Sequence, residues 1–164
     1  MTRLHGLAAF CLTFAFAGAC AAPAPPAPEF RAPDQEHVVG MFSQTVADFR
    51  AGAFENWASR FSDDAVLHAP NQPAIVGRPA ILAWAQAMPP IESIEFTNVR
   101  VWGAGDVAWG VSDYTLALQG VPPDTGKQLA VVRRTNGEWH VVAVSFNTDL
   151  PLPAAAAAGS APEN

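Results

Sequence analysis

The stretch QLAVVRRTNGEWHVVAVSF, residues 128–146, carries the clearest folding signal of the chain. Its centre, Asn136-Gly137, is a dipeptide typical of two-residue β-hairpin turns, because both positions of such a turn need a positive φ. The residues on either side are rich in valine, tryptophan and phenylalanine, which favour strands. We therefore predict strands over residues 127–135 and 138–147, joined by a tight turn.

Two more long strands are predicted before this hairpin. Residues 94–102 and 107–119 are strand-like and are separated by GAGD, while the longer loop GVPPDTG precedes residue 127. Glycine, proline and aspartate at these points are typical of turns. Four long strands joined by short connections predict an antiparallel meander in the second half of the domain.

The first half of the domain is predicted to be mainly helical. A first helix begins at Asp34, which can cap it, and two further helices cover residues 54–61 and 79–88. The apolar residues that recur at helical spacing in the first helix are Val38, Met41, Phe42, Val46 and Phe49. One short strand over residues 65–69 ends at Pro70. The predicted fold class is α+β, with three N-terminal helices wrapped around a curved, largely antiparallel sheet.

The two ends of the chain differ from this domain in composition. Residues 1–19 resemble an export signal, with a basic residue before an apolar run and small residues after it. Residues 20–33 are rich in alanine and proline, which predicts an extended tether, and residues 151–164 are predicted to be a disordered tail. The folded domain is expected over residues 34–150.

Cys20 directly follows the small residues Ala17, Gly18 and Ala19. This pattern resembles a bacterial lipoprotein signal, in which the cysteine is lipidated and becomes the new N-terminus. Cys11 lies inside the signal, so the mature domain cannot form an internal disulfide. We expect a protein of the cell envelope that is anchored to a membrane through Cys20, or a secreted protein if Cys20 is not modified.

The composition argues against several kinds of partner. The chain has 164 residues, a net charge of −6 and Lys127 as its single lysine. It therefore lacks the basic runs that bind nucleic acid. The histidines and cysteines have no metal-ligand spacing, and no phosphate-binding loop is present. The sequence predicts no nucleic-acid partner, no metal and no cofactor.

The turns also predict a register for the sheet. The expected cross-strand pairs are Arg133–His140 and Arg134–Trp139 across the Asn-Gly turn, Trp102–Val107 and Arg100–Trp109 across GAGD, and Asp113–Arg133 across the longer loop. The last pair predicts an ion pair between strands. Bulges, which are common in strongly bent sheets, would shift these pairs.

Strict alternation along the strands then predicts two faces. One carries Phe96, Arg100, Trp102, Trp109, Asp113, Leu129, Arg133, His140, Val142, Val144 and Phe146. The other carries Val99, Val101, Ala108, Gly110, Ser112, Tyr114, Leu116, Ala130, Val132, Trp139, Val141, Ala143, Ser145 and Asn147. The second face has more small residues, which suits a concave side packed on helices. The first face is too apolar to face only water, so we predict a homodimer through it.

Three segments resemble the nuclear transport factor 2-like superfamily, in its SnoaL-like or ketosteroid-isomerase-like branch. They are NWASRFSDDAVLHAP with VGRPAILAW, GAGDVAWGVSDYTLAL, and GKQLAVVRRTNGEWHVVAVSFNTDLP. The resemblance covers residues 34–151 and implies a cone-shaped, cystatin-like roll, commonly dimeric, with a pocket at its open end. The superfamily hosts isomerases, dehydratases, cyclases, hydrolases and non-catalytic domains, so the function must be argued from the site.

The isomerase pattern fails at its central residue. In ketosteroid isomerase the general base is an aspartate, and matching the strand over residues 65–69 to that pattern places Ala69 at the base position. Two other residues are candidate catalytic bases. His68 is adjacent and an imidazole can act as a base near pH 7, although alternation points it away from the pocket. Asp113 lies in mid-strand, where the alternative is the ion pair with Arg133.

A ligand pocket is predicted from the aromatic residues and their neighbours. The candidate ligand-binding residues are Trp57, Ala69, Trp84, Ser112, Tyr114 and Asn147. Trp57 and Trp84 lie on helices that flank the short strand, and the polar residues add contacts if the small-residue face is concave. The alternative is that the aromatic residues only pack the core and an interface.

Three functions remain open from the sequence. The first is an exported, lipid-anchored domain that binds a small, largely apolar molecule. The second is a cofactor-independent isomerase or lyase that uses His68 or Asp113. The third is a dimeric interaction module whose pocket is filled by its own side chains.

Overall fold

The computed structural model describes residues 29–151. The predicted export signal, most of the tether, Cys20 and the tail beyond residue 151 lie outside these residues. Within them, no helix combines the length and hydropathy needed to cross a membrane.

Three helices precede the long strands. They are α1 (Ala32–Ala51), α2 (Phe54–Ser59) and α3 (Arg78–Gln86). Helix α1 begins at Ala32, with Arg31 rather than Asp34 at the N-cap, and the Asp34 carboxylate accepts a hydrogen bond from the Arg31 amide at 3.0 Å. The helix ends at Gly52, whose φ of 65° suits a glycine. Asp34 thus supports the helix start from the first turn, three residues after Arg31, which occupies the cap position that the sequence assigned to Asp34.

Six strands form one curved mixed sheet. They are β1 (Phe61–His68), β2 (Ile75–Val76), β3 (Ile91–Ala104), β4 (Val107–Leu118), β5 (Asp124–Thr135) and β6 (Glu138–Thr148), in the spatial order β2-β1-β6-β5-β4-β3. Strands β1 and β6 are parallel, and all other neighbours are antiparallel. The predicted α+β class with N-terminal helices and a curved sheet is confirmed. Phe61 begins β1 instead of ending the second helix, and β2 has no counterpart in the prediction.

The hairpin register is confirmed where the turn is tight. Arg133 lies opposite His140 and Arg134 lies opposite Trp139. The register of the other turns was wrong. Trp102 pairs with Trp109, because the turn after β3 is two residues tighter than assumed. Asp113 pairs with Lys127 and not with Arg133, because β5 begins at Asp124, so the predicted Asp113–Arg133 ion pair does not form.

Two bulges change which residues share a face. Val131 pairs with Ala143 and Val132 pairs with Val141, so Val142 is an extra residue in β6. An extra residue reverses the alternation that follows it. Val144 and Phe146 therefore belong to the concave face, and Ala143, Ser145 and Asn147 belong to the convex face, opposite to the prediction.

The second bulge lies in β3, between Thr97 and Arg100. Asn98 has a φ of 53° there, a left-handed conformation that asparagine tolerates better than most residues. Phe96 pairs with Tyr114 on the concave face as a result, whereas strict alternation predicted the convex face. Bulges of this kind bend a strand and increase its twist.

The core lies between the concave face and the helices. Its most buried large side chains are Val38, Phe61, Leu67 and Ile81. Helix α1 packs closely on the sheet at Gly110, because a Cβ there would lie 2.7 Å from the Phe42 ring. This arrangement leaves an apolar space between α1, the shorter helices and the sheet.

Candidate functional site

A cavity of about 100 Å³ lies between the helices and the concave face. Most of its wall is apolar and comes from α1, α2, α3 and strands β1 and β3–β6. The polar side chains on the wall are Thr45, Arg60, Tyr114 and Gln128. A largely apolar wall with few polar groups is typical of small-molecule sites.

Aromatic rings form two sides of the wall, and the structure brings three predicted residues together there. Trp57 packs edge-on against Phe61 with ring centroids 4.7 Å apart. Trp84 and Tyr114 both contact Phe146, with centroids 6.0 Å and 5.9 Å apart. The contacts of Trp57 with Phe61 and of Tyr114 with Phe146 are edge-to-face, a geometry that stabilises a fixed ring orientation, and the contact of Trp84 with Phe146 is tilted. Trp57, Trp84 and Tyr114 therefore line the cavity as rigid surfaces.

The hydroxyl group of Tyr114 is held by the protein. It donates to Asp124 Oδ2 at 2.8 Å and lies 3.1 Å from the carbonyl oxygen of Asn147. Thr148 Oγ1 donates to the other Asp124 oxygen at 2.5 Å. Burial, followed by the Asp124 carboxylate, raises the pKa of Tyr114. The phenol therefore stays protonated and serves as a donor to Asp124, not as a proton source for a ligand.

A buried ion pair adjoins the wall. Arg60 Nη1 lies 2.6 Å from Asp48 Oδ2, and the Asp48 side chain is only 6% exposed. Gln44 Nε2 donates to the other Asp48 oxygen at 3.1 Å. The approach of Nη1 to Oδ2 lacks the alignment of a hydrogen bond. Within residues 29–151, Asp48 Oδ2 and Arg60 Nη2 are both buried without a hydrogen-bond partner.

Asp48 and Arg60 were missed by the sequence analysis. A signal for Asp48 exists, since Thr45 lies four residues after Met41 and Asp48 lies three residues after Thr45, a spacing that puts Asp48 on the cavity-facing side of α1. An acid on the apolar side of a helix needs a partner. No sequence feature indicates that the partner is Arg60, because the two meet only through the packing of α1 on α2.

Three predicted ligand-binding residues are not on the wall. Ala69 and Ser112 are buried in the core, and the Ser112 hydroxyl has no hydrogen-bond partner among the described residues. Asn147 is exposed on the convex face, and only its backbone carbonyl approaches Tyr114. The β6 bulge is the reason for the position of Asn147, since it reverses the direction of side chains beyond Val142.

The two candidate bases also lie away from the cavity. His68 is exposed between the buried residues Leu67 and Ala69, as strict alternation indicates. Asp113 lies on the convex face and accepts a hydrogen bond from Asn98 Nδ2 at 2.6 Å. No contact in this cavity supports a catalytic role for either residue. That role stays a prediction. Residues 29–151 also contain no group of three or more potential metal ligands.

Residues 42–146, which span most of the helices and strands just described, match the family model of the SnoaL-like domain. The chain belongs to the SnoaL-like domain family. Three solved structures show how closely this SnoaL-like domain follows known folds. It is 15% identical to a nuclear transport factor 2-like protein of unknown function from Pseudomonas putida, with a TM-score of 0.66 over 74% of this chain and 91% of the other.

Two further structures agree with this fold. A protein of unknown function with a cystatin-like fold from Nostoc punctiforme is 19% identical, with a TM-score of 0.65 over 76% of this chain and 98% of the other. A ketosteroid isomerase-like protein from Erwinia carotovora atroseptica is 19% identical, with a TM-score of 0.63 over 74% and 100% of the two chains. None of the curated proteins matches the chain. At these identities the SnoaL-like domain shares a fold with its neighbours, and its chemistry must be argued from its own cavity.

Proposed function

We propose that this SnoaL-like domain binds one small, largely apolar molecule in the cavity between its helices and sheet. The observation that carries the proposal is the wall itself, in which aromatic rings packed against one another border an apolar space of about 100 Å³. An engineered cavity of about 150 Å³ lined by apolar side chains can bind benzene. A ligand with one ring matches the available space better than a drug-sized molecule, which needs about 300 Å³ or more.

The binding test uses 1-ethyl-4-fluorobenzene, followed by fluorine NMR. Leu116 lines the cavity, while its neighbour Thr115 is exposed on the other face of β4. We expect saturable binding to the wild-type domain, loss of binding in Leu116→Trp because the indole fills the space, and unchanged binding in Thr115→Trp. Circular dichroism checks that both variants fold. Absence of saturable binding to the wild type, or equal binding to Leu116→Trp, would contradict the proposal.

We also propose a homodimer through the convex face, the assembly that the interaction-module hypothesis requires. The support is an apolar surface that the helices leave uncovered. Trp102, Trp109 and Leu129 are 44%, 39% and 42% exposed on adjacent strands of this face. Contiguous exposed apolar surface of this kind is typical of protein interfaces.

Export and lipid attachment remain part of the proposal. They rest on the N-terminal sequence, with Cys20 after three small residues and an alanine- and proline-rich segment before the domain. The test is fractionation of cells that express the full chain. Cys20→Ala should release the protein from the membrane fraction, whereas continued membrane association of this variant would exclude the lipid anchor.

A further inference from the structure

Four polar side chains lie on the cavity wall, and one of them makes no hydrogen bond within residues 29–151. Thr45 Oγ1 donates to a backbone carbonyl of its own helix, and the Tyr114 hydroxyl donates to a carboxylate. The Arg60 guanidinium pairs with Asp48, and its Nη2 is too deeply buried to touch a ligand. The remaining side chain is Gln128. Its amide group is therefore the polar group of the wall that is available to a ligand.

The register of the sheet directs the Gln128 side chain toward the concave side. Gln128 lies on β5 opposite Phe146 of β6 and opposite Ser112 of β4. Residues that pair across strands project to the same face, and Phe146 lines the cavity. Ser112 Oγ is fully buried, whereas both polar atoms of the half-buried Gln128 side chain keep accessible surface. A molecule in the cavity can therefore reach the amide.

Aromatic rings border this amide. Phe146 lies directly across from Gln128 and also contacts Trp84. Tyr114 lies two residues beyond Ser112 on the same face of β4, which makes it a diagonal neighbour of Gln128. Diagonal neighbours in a sheet are about 7–8 Å apart, within reach of aromatic side chains. A ring held against Phe146 or Tyr114 would thus bring one of its substituents to the amide.

The chemistry of the amide selects the kind of substituent. A glutamine side chain is neutral and offers one acceptor oxygen and two N–H donors. It supplies no charge to balance an ionised ligand in an apolar space, so the ligand's polar group should be neutral. A ketone could only accept from the N–H groups and would leave the amide oxygen without a donor. A hydroxyl group can donate to that oxygen and needs little room.

We infer that Gln128 is the specificity-determining residue of the cavity. Its Oε1 accepts a hydrogen bond from a neutral hydroxyl group on a one-ring apolar ligand, which makes the preferred ligand a simple phenol. This inference rests on the proposed function, because it needs a ligand in the cavity. It goes further in naming the ligand's polar group and the residue that recognises it.

The experiment compares two ligands of nearly equal shape. One is 4-fluorophenol, which keeps its proton at pH 7, and the other is 4-fluorotoluene, which has a methyl group in place of the hydroxyl. The phenol loses more hydration on entering an apolar cavity. The useful quantity is therefore the dissociation constant of 4-fluorotoluene divided by that of 4-fluorophenol, determined for each variant by fluorine NMR.

The test variants are Gln128→Leu and Gln128→Met, two apolar side chains of similar size to glutamine. The matched control is Gln119→Leu, the same change at an exposed position just after β4 and off the cavity wall. We expect the ratio to fall about fivefold in both test variants, as loss of one neutral hydrogen bond implies, and to stay unchanged in the control. Saturable binding of 4-fluorotoluene to each variant checks that its cavity is intact.

A second measurement needs no variant. The ¹³Cδ resonance of Gln128 in the isotope-labelled wild type should lie further downfield when the domain is saturated with 4-fluorophenol than with 4-fluorotoluene, because a hydrogen bond polarises the amide carbonyl. The same position with both ligands would exclude the proposed acceptor even if both Gln128 variants failed to fold.

The outcomes separate this inference from the proposed function. If 4-fluorotoluene binds and the ratio is unchanged in the Gln128 variants, Gln128 is not the selector but the binding function stands. If 4-fluorobenzoate binds more tightly than 4-fluorophenol, the site selects anions and the inference is wrong. If neither 4-fluorophenol nor 4-fluorotoluene binds saturably to the wild type, both proposals fail.

Discussion

Tyr114 is fixed by the protein at both its ring and its hydroxyl group. The ring lies against Phe146 and over Gly126, where a Cβ would come within 2.7 Å of the ring and would collide with the Asn147 carbonyl. The hydroxyl donates to Asp124. The residue therefore belongs to the cavity wall through its ring face, while its polar end stabilises the end of β5 against β6.

Tyr114→Phe is expected to weaken the fold without weakening ligand binding. Removing the hydroxyl costs about 1.5–3 kcal/mol, the range for a hydrogen bond to a charged group, although Thr148 still donates to Asp124. Urea denaturation measures the stability, and fluorine NMR with 1-ethyl-4-fluorobenzene measures the binding. Thr115→Val, an exposed change in the same strand, is the control. Loss of binding at unchanged stability would mean that the hydroxyl group faces the ligand.

Two glycines in different elements test opposite effects of an added methyl group. At Gly110 a Cβ would lie 2.7 Å from Phe42, whereas Gly40, on α1, has no atom within 4 Å of such a Cβ. Gly110→Ala should destabilise by about 1–3 kcal/mol because α1 must move away from β4. Gly40→Ala should stabilise by about 0.5–1 kcal/mol because alanine favours the helix.

Urea denaturation of both glycine variants checks these values. The same stability change in the two variants would show that α1 does not pack on β4 as described. Because Gly110 also lines the cavity, Gly110→Ala should weaken hydrocarbon binding as well, and Gly40→Ala should not.

At the scale of elements, the start of α1 is joined to the far end of the sheet. Arg134 Nη1 lies 2.7 Å from Asp34, and its Nε lies 2.8 Å from Asp106 in the turn between β3 and β4. Its guanidinium also covers the Trp139 ring, 5.0 Å from the ring centre. One arginine thus connects a helix start, a turn and the last hairpin, which explains how α1 keeps its orientation on the sheet.

The acid stability of the fold should depend on Asp34. The Arg31 amide lowers the pKa of Asp34 most, and Trp139 and Arg134 lower it further. A lowered pKa means that the ionised carboxylate stabilises the fold. This contribution is complete above the unfolded pKa, near 4, and is lost as the pH falls through the lower pKa of the folded state.

Thermal unfolding of Asp34→Asn between pH 7 and pH 2 tests this dependence. The wild type should have the higher melting temperature at pH 7, and this difference from the variant should disappear as the pH falls below about 4. Asp64→Asn, at an exposed position in β1, is the control, and its melting temperature should change with pH as that of the wild type does. A constant difference between wild type and Asp34→Asn across this range would contradict the assigned role of the carboxylate.

At the scale of the whole molecule, the two faces of the sheet differ in what covers them. The helices cover the concave face and form one side of the cavity wall. The convex face keeps large apolar side chains in contact with water, and the Arg100 guanidinium lies 5.7 Å from the Trp102 ring centre. The mixture of exposed tryptophan and arginine matches the residue types enriched at protein interfaces.

The exposed apolar side chains of the convex face predict a homodimer. Trp109→Glu should convert a dimer to a monomer at micromolar concentration, because a carboxylate would be buried in the interface. Light scattering of residues 29–151 with and without the change measures the mass. Val121→Glu, at an equally exposed loop position, is the control and should remain dimeric. A monomeric wild type at this concentration would exclude the proposed interface.

The sequence by itself determined the three helices, the strand β1 and the four long strands, and their order along the chain, although not the short strand β2. Asn136-Gly137 sets the last hairpin because few residue pairs tolerate two positive φ angles, and the apolar spacing in α1 gives the helix and its buried side. The positions of Trp57, Trp84 and Tyr114 beside the cavity could also be predicted, because they depend on the helix or strand that carries each residue. The alternation of Leu67, His68 and Ala69 correctly indicated that His68 faces outward.

Only the tertiary structure decided which residues share a face and which polar groups meet. The extra residue at Val142 and the bulge at Asn98 reverse the side-chain directions that alternation predicts, and no local signal fixes where a curved sheet must bend. Asp48 and Arg60 meet because α1, α2 and β1 pack around one core. Local sequence sets backbone preferences, whereas such contacts depend on how elements distant in the chain fill a common space.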